Sequence, residues 1–298
     1  MTVSRTERRA AAGFLLPFVV LFGAFFVLPI GYAIYRSLLT TKRSGPLGLG
    51  GSRTVFAGAA NYVAALTDEA FVDSVVRVLG FALIQVPLMI GLATTMALLL
   101  DAASARGVRF FRSSYFLPYG VPGVIASVLW GFLYAPGVSP IIDLLDAVGI
   151  HANFLGSSTV LFSIANIVTW EFAGYNMLVV VAQLKAIDQD LYEAAEIDGA
   201  NAYQVIRSVK LPLIRPALVL TTVFTIIGTL QLFAEPLVLR PISTAINTSY
   251  TPNLAAYTQA FVNNNYSLAA AQSVILAAAA CVLSFGFLHL VGRKETDR

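Results

Sequence analysis

Charge is scarce in this sequence. Asp, Glu, Lys and Arg make up 12% of its 298 residues, while 57% are hydrophobic. A water-soluble domain carries roughly twice that share of charge. With a mean hydropathy of +0.77, the chain cannot keep its surface in water, and lipid is its expected solvent. Cysteine is nearly absent too. The lone Cys281 rules out an internal disulfide and, set in an alanine-rich apolar run, reads as a buried packing residue. Two isolated histidines, His151 and His289, make no ligand set with it, so no metal site is expected. No glycine is followed by lysine, so the G-x-x-x-x-G-K-[ST] cradle for nucleotide phosphates is missing. G-x-S-x-G, H-E-x-x-H and paired intramembrane aspartates are missing as well, which argues against an intramembrane enzyme, and no catalytic residue is assigned. A net charge of +3 gives no sign of nucleic-acid binding.

What the sequence does have is long apolar runs. A helix needs about 20 mostly apolar residues to cross the hydrocarbon core. Six stretches qualify: about Phe14–Leu39, Val72–Leu100, Phe110–Tyr134, Thr159–Leu184, Leu213–Leu239 and Leu268–Val291. They are expected to be helices, because a helix satisfies its own backbone hydrogen bonds in lipid; the short alternating strands of a β-barrel are not seen. Arg5, Arg8 and Arg9 precede the first run as they would in a signal peptide. That run is too long for an h-region, so it reads as a retained signal anchor. The fold class is therefore an all-α membrane protein, with a six-span domain over 14–292. Thirteen of the 19 Lys and Arg lie at the N-terminus, at Arg106/Arg109/Arg112, at Lys185/Arg207/Lys210/Arg215, and at Arg293/Lys294/Arg298. The positive-inside rule puts these on the cytoplasmic side, with residues 1–13 and 293–298 as cytoplasmic termini. The outside segment of about Thr40–Phe71, glycine-rich at Gly45–Gly51, has room for a small cap at most.

One polar segment breaks the pattern. LYEAAEIDGANAYQVIRSVKLPLIRPAL, from Leu191 to Leu218, lies between spans four and five and is cytoplasmic by the same rule. Asp188 or Asp190 is placed to cap a helix through Leu191–Ile197, and the acids at its start suit the positive end of its dipole. Gly199 is a natural stop, since glycine enters the left-handed region without strain. A second helix follows at about Ala202–Val209, and Leu211-Pro212 bends the chain into the next span. On the residues alone, this helix–turn–helix reads either as a docking surface for another protein or as an amphipathic hairpin on the headgroups.

The spacing Glu193-Ala194-Ala195, Asp198-Gly199-Ala200, then Val209-Lys210-Leu211-Pro212 resembles the EAA loop of permease subunits in binding-protein-dependent ABC importers. Its pattern is E-A-A, two residues, D-G-A, eight residues, I-x-L-P, and valine for isoleucine is the only departure. LPIGYAIYRSLL, FRSSYFLPYGVPGVIASVLW and LKAIDQDLYEAA look like the carbohydrate-importing branch, in particular the first permease of maltose- and oligosaccharide-type systems. The resemblance implies a type I ABC importer permease fold in a bacterial plasma membrane. It makes about 188–212 the coupling loop, with Glu193, Ala194, Ala195, Asp198, Gly199, Ala200, Leu211 and Pro212 seated on a separate ATPase. It implies these partners: a second, homologous permease, two ATP-binding subunits that hold ATP and Mg, an extracytoplasmic solute-binding protein, and a sugar. No cofactor is expected in this chain itself.

Polar residues inside spans usually face a cavity or a partner. Glu171 and Tyr175 are four apart on one face, and Gly228, Gln231 and Glu235 fall on one face of span five. Aromatic rings and hydrogen-bonding groups suit a sugar path. The family's sugar-contacting positions carry over to Tyr119, Gly123, Glu171, Phe172, Tyr175, Gly228 and Gln231. Glu171 stands where the maltose-type pattern has an aliphatic residue and Phe172 where it has glycine, which argues against maltose itself. Other readings stay open. Trp170 and Tyr175 serve equally well as packing aromatics, Gly123 and Gly228 as close-packing sites, and Glu171 as the partner of Arg77 or of the second permease. Glu235, near the outer end of its span, reads as wet. A proton-coupled secondary transporter with Glu171 as carrier is the alternative function, although no internal repeat supports it.

Overall fold

The computed structural model describes residues 5–43, 51–102 and 104–296. Gly45–Gly50 and Arg298 lie outside them, as do the side chains of Arg5, Arg8, Arg9, Arg293 and Lys294. The chain divides into two compact units, Met1–Val72 with Ala255–Ala277, and Asp73–Leu254 with Ala278–Arg298.

In the first unit, α1 (Ala12–Ser37) is an apolar span none of whose hydropathy window is buried within the chain. Its outward Phe and Leu side chains therefore suit lipid or another subunit. A two-stranded antiparallel hairpin follows, β1 (Leu39–Arg43) and β2 (Ser52–Phe56), so the helical fold carries one small piece of sheet. The hairpin is sewn to α2 (Ala60–Thr67) by buried polar groups. Asn61 Nδ2 donates to the carbonyls of Ser37 and Leu39, 2.7 Å each, and Ser37 Oγ meets Tyr62 OH at 2.6 Å. In this way the expected small cap satisfies its backbone.

The second unit begins within α3 (Glu69–Asp101). Where the hydropathy pattern suggests one third span, there are two helices, α4 (Val108–Phe116) and α5 (Gly123–Tyr134), bent by 99°. The cause is Leu117-Pro118-Tyr119-Gly120-Val121-Pro122. Two prolines remove backbone donors, and Pro122 forces the preceding Val121 into an extended conformation (ψ 123°). After α6 (Pro140–Ala147), α7 (Val160–Lys185) runs through the core, with 56% of its apolar window buried. The polar segment after α7 forms α8 (Gln189–Ile197) and α9 (Ala202–Val205). Span five is also broken: α10 (Arg215–Leu230) and α11 (Ala234–Leu239) are separated by Gln231–Phe233. The short α12 (Pro252–Tyr257) and the long α13 (Tyr266–Thr296) complete the described chain. Among the described residues five helices are long and apolar enough to span a membrane, six when the bent pair counts as one.

Close backbone approach holds this unit together. A Cβ on Gly174 of α7 would fall 1.8 Å from the Tyr115 carbonyl oxygen of α4, so only glycine fits there. A Cβ on Gly131 of α5 would sit 3.1–3.2 Å from Ile242 and Leu239. Around these contacts Ala126, Ile164, Ile167 and Leu239 form a core in which each retains no accessible surface. Cys281, expected to be a buried packing residue, is exposed on α13; in a lipid-facing helix an exposed small apolar side chain carries no penalty.

Candidate functional site

Two sets of residues are candidates, one at the polar loop and one where the broken helices meet α7.

The loop is capped at each joint. Asp188 accepts from the Asp190 amide at the start of α8 (3.3 Å). At its end Gly199 adopts φ +79°, the amide of Gly199 bonds the Glu196 carbonyl, and that of Ala200 bonds the Ala195 carbonyl, 3.0 Å each. This is the paired 5→2 and 6→1 closure of a Schellman motif, and it requires the left-handed residue that Asp-Gly-Ala supplies. Asn201 and Gln204 then form a reciprocal capping box at 3.0 and 2.8 Å. This cap was not anticipated, although the Asn-x-x-Gln spacing carries its signal. Glu193, Ala194, Asp198, Gly199 and Pro212 are exposed, whereas Ala195, Ala200 and Leu211 are half-buried. Ile197 and Tyr203 keep 86% and 66% of their surface exposed, which leaves two large apolar side chains at the tip of the loop.

Lys210 ties this loop to the spans. Its Nζ lies 2.7 Å from Asp101 Oδ2, at the last residue of α3, and 5.2 Å above the Tyr192 ring. Both members of the ion pair are nearly buried, with 14% and 10% of their side-chain surface left. Lys185, at the end of α7, stands 3.9 Å from the same carboxylate but is 62% exposed. Burial, with the Asp101 charge second, holds the Tyr192 phenol above its ordinary range. Neither Asp101 nor Tyr192 was singled out by sequence, since nothing local marks a pair 109 positions apart.

At mid-chain, Tyr119 in the α4–α5 break stacks on Tyr175 (4.7 Å between centroids, 17°) and meets Phe172 edge-on (5.9 Å). Gly123, the first residue of α5, faces Glu171: a Cβ there would lie 3.4 Å from Oε1. Glu171 is buried, and its Oε2 has no hydrogen-bond partner. Five of the seven expected pathway positions are thus brought together. Gly228 and Gln231 border open space: a Cβ on Gly228 would meet nothing within 4 Å, and Gln231 is exposed. Glu235, expected to be wet, is instead buried on the first turn of α11, within charge–charge range of Glu171. Arg77 is not the partner of Glu171. Its Nη1 donates to the Tyr250 carbonyl at 2.9 Å, and its guanidinium covers the Tyr250 ring at 4.8 Å. Among the described residues neither buried carboxyl forms an ion pair, and no group of three metal-ligating side chains occurs.

Residues 62–296 match the family described as "Binding-protein-dependent transport system inner membrane component". The chain is 31% identical over 281 residues to the lactose transport system permease protein LacF of Rhizobium radiobacter, covering 91% of this chain and 90% of that protein. It is 32% identical over 266 residues to the sn-glycerol-3-phosphate transport system permease protein UgpA of Agrobacterium fabrum, covering 87% of each. Its fold superposes on a chain of a bacterial ABC transporter involved in the import of the acidic polysaccharide alginate, with a TM-score of 0.81 at 20% identity over 97% of this chain and 96% of that one. With a matched segment that takes in the capped loop, the bent third span and the broken fifth, this chain belongs to the binding-protein-dependent transport system inner membrane components: it is a multi-pass permease subunit, not an enzyme.

Proposed function

We propose that this chain is one of two permease halves of an ATP-driven sugar importer that works by alternating access. The observation that carries this reading is the exposed α8, capped at both ends and joined through Lys210 and Asp101 to the end of a span. Glu193, Ala194, Ala195, Asp198, Gly199 and Ala200 would sit in a groove on an ATP-binding subunit, with Leu211-Pro212 as the hinge into span five. Both termini and this loop would face the cytoplasm, the orientation that the distribution of Lys and Arg favours. Closure of two such ATPases would draw α8 and its counterpart on a second permease together and open the mid-membrane path outward. An extracytoplasmic binding protein would then deliver solute onto Tyr119, Phe172 and Tyr175, with Gly123, Glu171, Gly228 and Gln231 along the path. Stacked aromatics and an unpartnered carboxylate oxygen suit a neutral di- or oligosaccharide. Relatives named for lactose and for sn-glycerol 3-phosphate are about equally similar, and the unpaired Glu171 and Glu235 favour the uncharged solute.

Co-purification from the native gene cluster in mild detergent tests the assembly. A second permease and an ATPase should accompany this chain, and Glu193→Lys should lose the ATPase alone. Gly199→Val, which must strain φ +79°, should leave the spans folded but uncouple hydrolysis from uptake. Normal uptake by that variant would overturn the coupling role. One observation favours a second reading. Glu171 Oε2 is buried and unpartnered, as a proton carrier's would be. Uptake that collapses with an uncoupler while ATP persists would select it.

A further inference from the structure

We propose that the α3–α4 corner is a binding site for an anionic phospholipid of the cytoplasmic leaflet. A groove of about 190 Å³ opens there, walled by Met96, Leu99 and Leu100 of α3 and by Phe111 and Tyr115 of α4, with Arg106 at its edge. Its walls are apolar and open to the outside: Leu99 keeps 65% of its surface, Phe111 and Tyr115 40% each. Arg106 lines the groove itself, and the corner around it is strongly basic. Between Ala102 and Arg112 the chain carries Arg106, Arg109 and Arg112 and no acid. None of the three forms an ion pair among the described residues, and Arg112 Nε is buried without a hydrogen-bond partner. The nearest carboxylate in sequence, Asp101, is already held by Lys210 and Lys185. The corner therefore has an uncompensated positive rim above an apolar cleft.

Its position suits a lipid. α3 ends at Asp101 and α4 begins at Val108, so with both helices in the bilayer the arginines between and just after these ends would lie at headgroup depth and the groove at acyl-chain depth. A basic pocket between spans, on the side that the positive-inside rule makes cytoplasmic, matches a phosphate headgroup with its chain in the cleft. Each basic residue near an anionic surface is worth roughly a fivefold preference. The site is independent of the transported solute.

Native mass spectrometry of the full-length chain in detergent tests it, with phosphatidylglycerol and phosphatidylcholine of identical acyl chains as probes. Phosphatidylglycerol should bind at least about tenfold more tightly. Arg106→Gln with Arg109→Gln should bring it to the phosphatidylcholine level, while Leu99→Gln should weaken both lipids alike. Equal binding of the two lipids by the unaltered chain overturns the proposal, as does a charge preference that survives the double substitution. A photo-crosslinker at Tyr115 should capture lipid in native membranes. Capture of a protein there instead would give the groove to a partner subunit and also overturn it.

Discussion

Replacing Lys210 with methionine removes one half of a nearly buried ion pair and keeps most of the side-chain volume. The loss can be worked from the geometry. Asp101 has 10% of its side-chain surface left and Lys210 14%, with 2.7 Å between their charged atoms. Breaking such a pair from one side costs about 3–5 kcal/mol, because the remaining charge stays buried and unpaired. Asp101 is also the last residue of α3; the helix dipole there disfavours an anion, but it does so with or without Lys210 and adds nothing to the difference. Lys185 can swing toward it, but from a 62% exposed position, and an exposed pair returns at most about 1 kcal/mol. Lys210→Met should therefore lose about 3–4 kcal/mol. Asp101→Asn should lose less, since Lys210 retains the Tyr192 ring and a path to water. The double variant should lose roughly 2–3 kcal/mol less than the two single losses add up to, and that difference is the coupling energy of the cycle. The two tryptophans, Trp130 and Trp170, lie edge to face at 5.9 Å against the core and report unfolding in a mixed-micelle denaturant titration. If Lys210→Met stayed within 1 kcal/mol of the unaltered chain, or if the single losses simply added in the double variant, the buried-pair argument would fail.

The remaining predictions follow from single contacts. Gly174→Ala sets a Cβ 1.8 Å from a backbone oxygen and should cost at least the ~1–3 kcal/mol of core overpacking, seen as lost folded yield on size exclusion. Gly228→Ala, with open space around it, should fold normally. Glu171→Gln keeps the shape, removes a charge and leaves no broken ion pair. Assembly should be unchanged while uptake kinetics shift, and identical kinetics would remove Glu171 from the solute path. The raised Tyr192 phenol means that the native state holds its proton more tightly than the unfolded chain. Stability is thus intact below pH ~10 and falls as pH rises above it. Tyr192→Phe should flatten that alkaline fall in melting temperature without loss at neutral pH, since the hydroxyl has no partner to lose.

The long apolar helices and the turn of the polar loop were legible in the sequence because their causes are local. A run of 20 apolar residues has few structures open to it in lipid, and Asp-Gly-Ala places the one residue that tolerates φ +79° where α8 must end. The small residues Ala194 and Ala195 and the bend at Leu211-Pro212 are equally short-range. Hydropathy could not show that Leu117–Pro122 turns one apolar run into two helices 99° apart, because a proline pair marks a break and not its angle. It also misplaced Glu235 and Cys281. Glu235 is buried and Cys281 exposed, and neither outcome is set by neighbours in sequence. The stacking of Tyr119 on Tyr175, the meeting of Gly123 with Glu171, and the reach of Lys210 to Asp101 all join residues far apart in sequence. By itself the sequence determined which segments form helices long and apolar enough to cross a membrane and where the polar loop turns. Tertiary structure alone decided which side chains meet, because charge pairing, ring stacking and backbone approach depend on distances in space that no local pattern encodes.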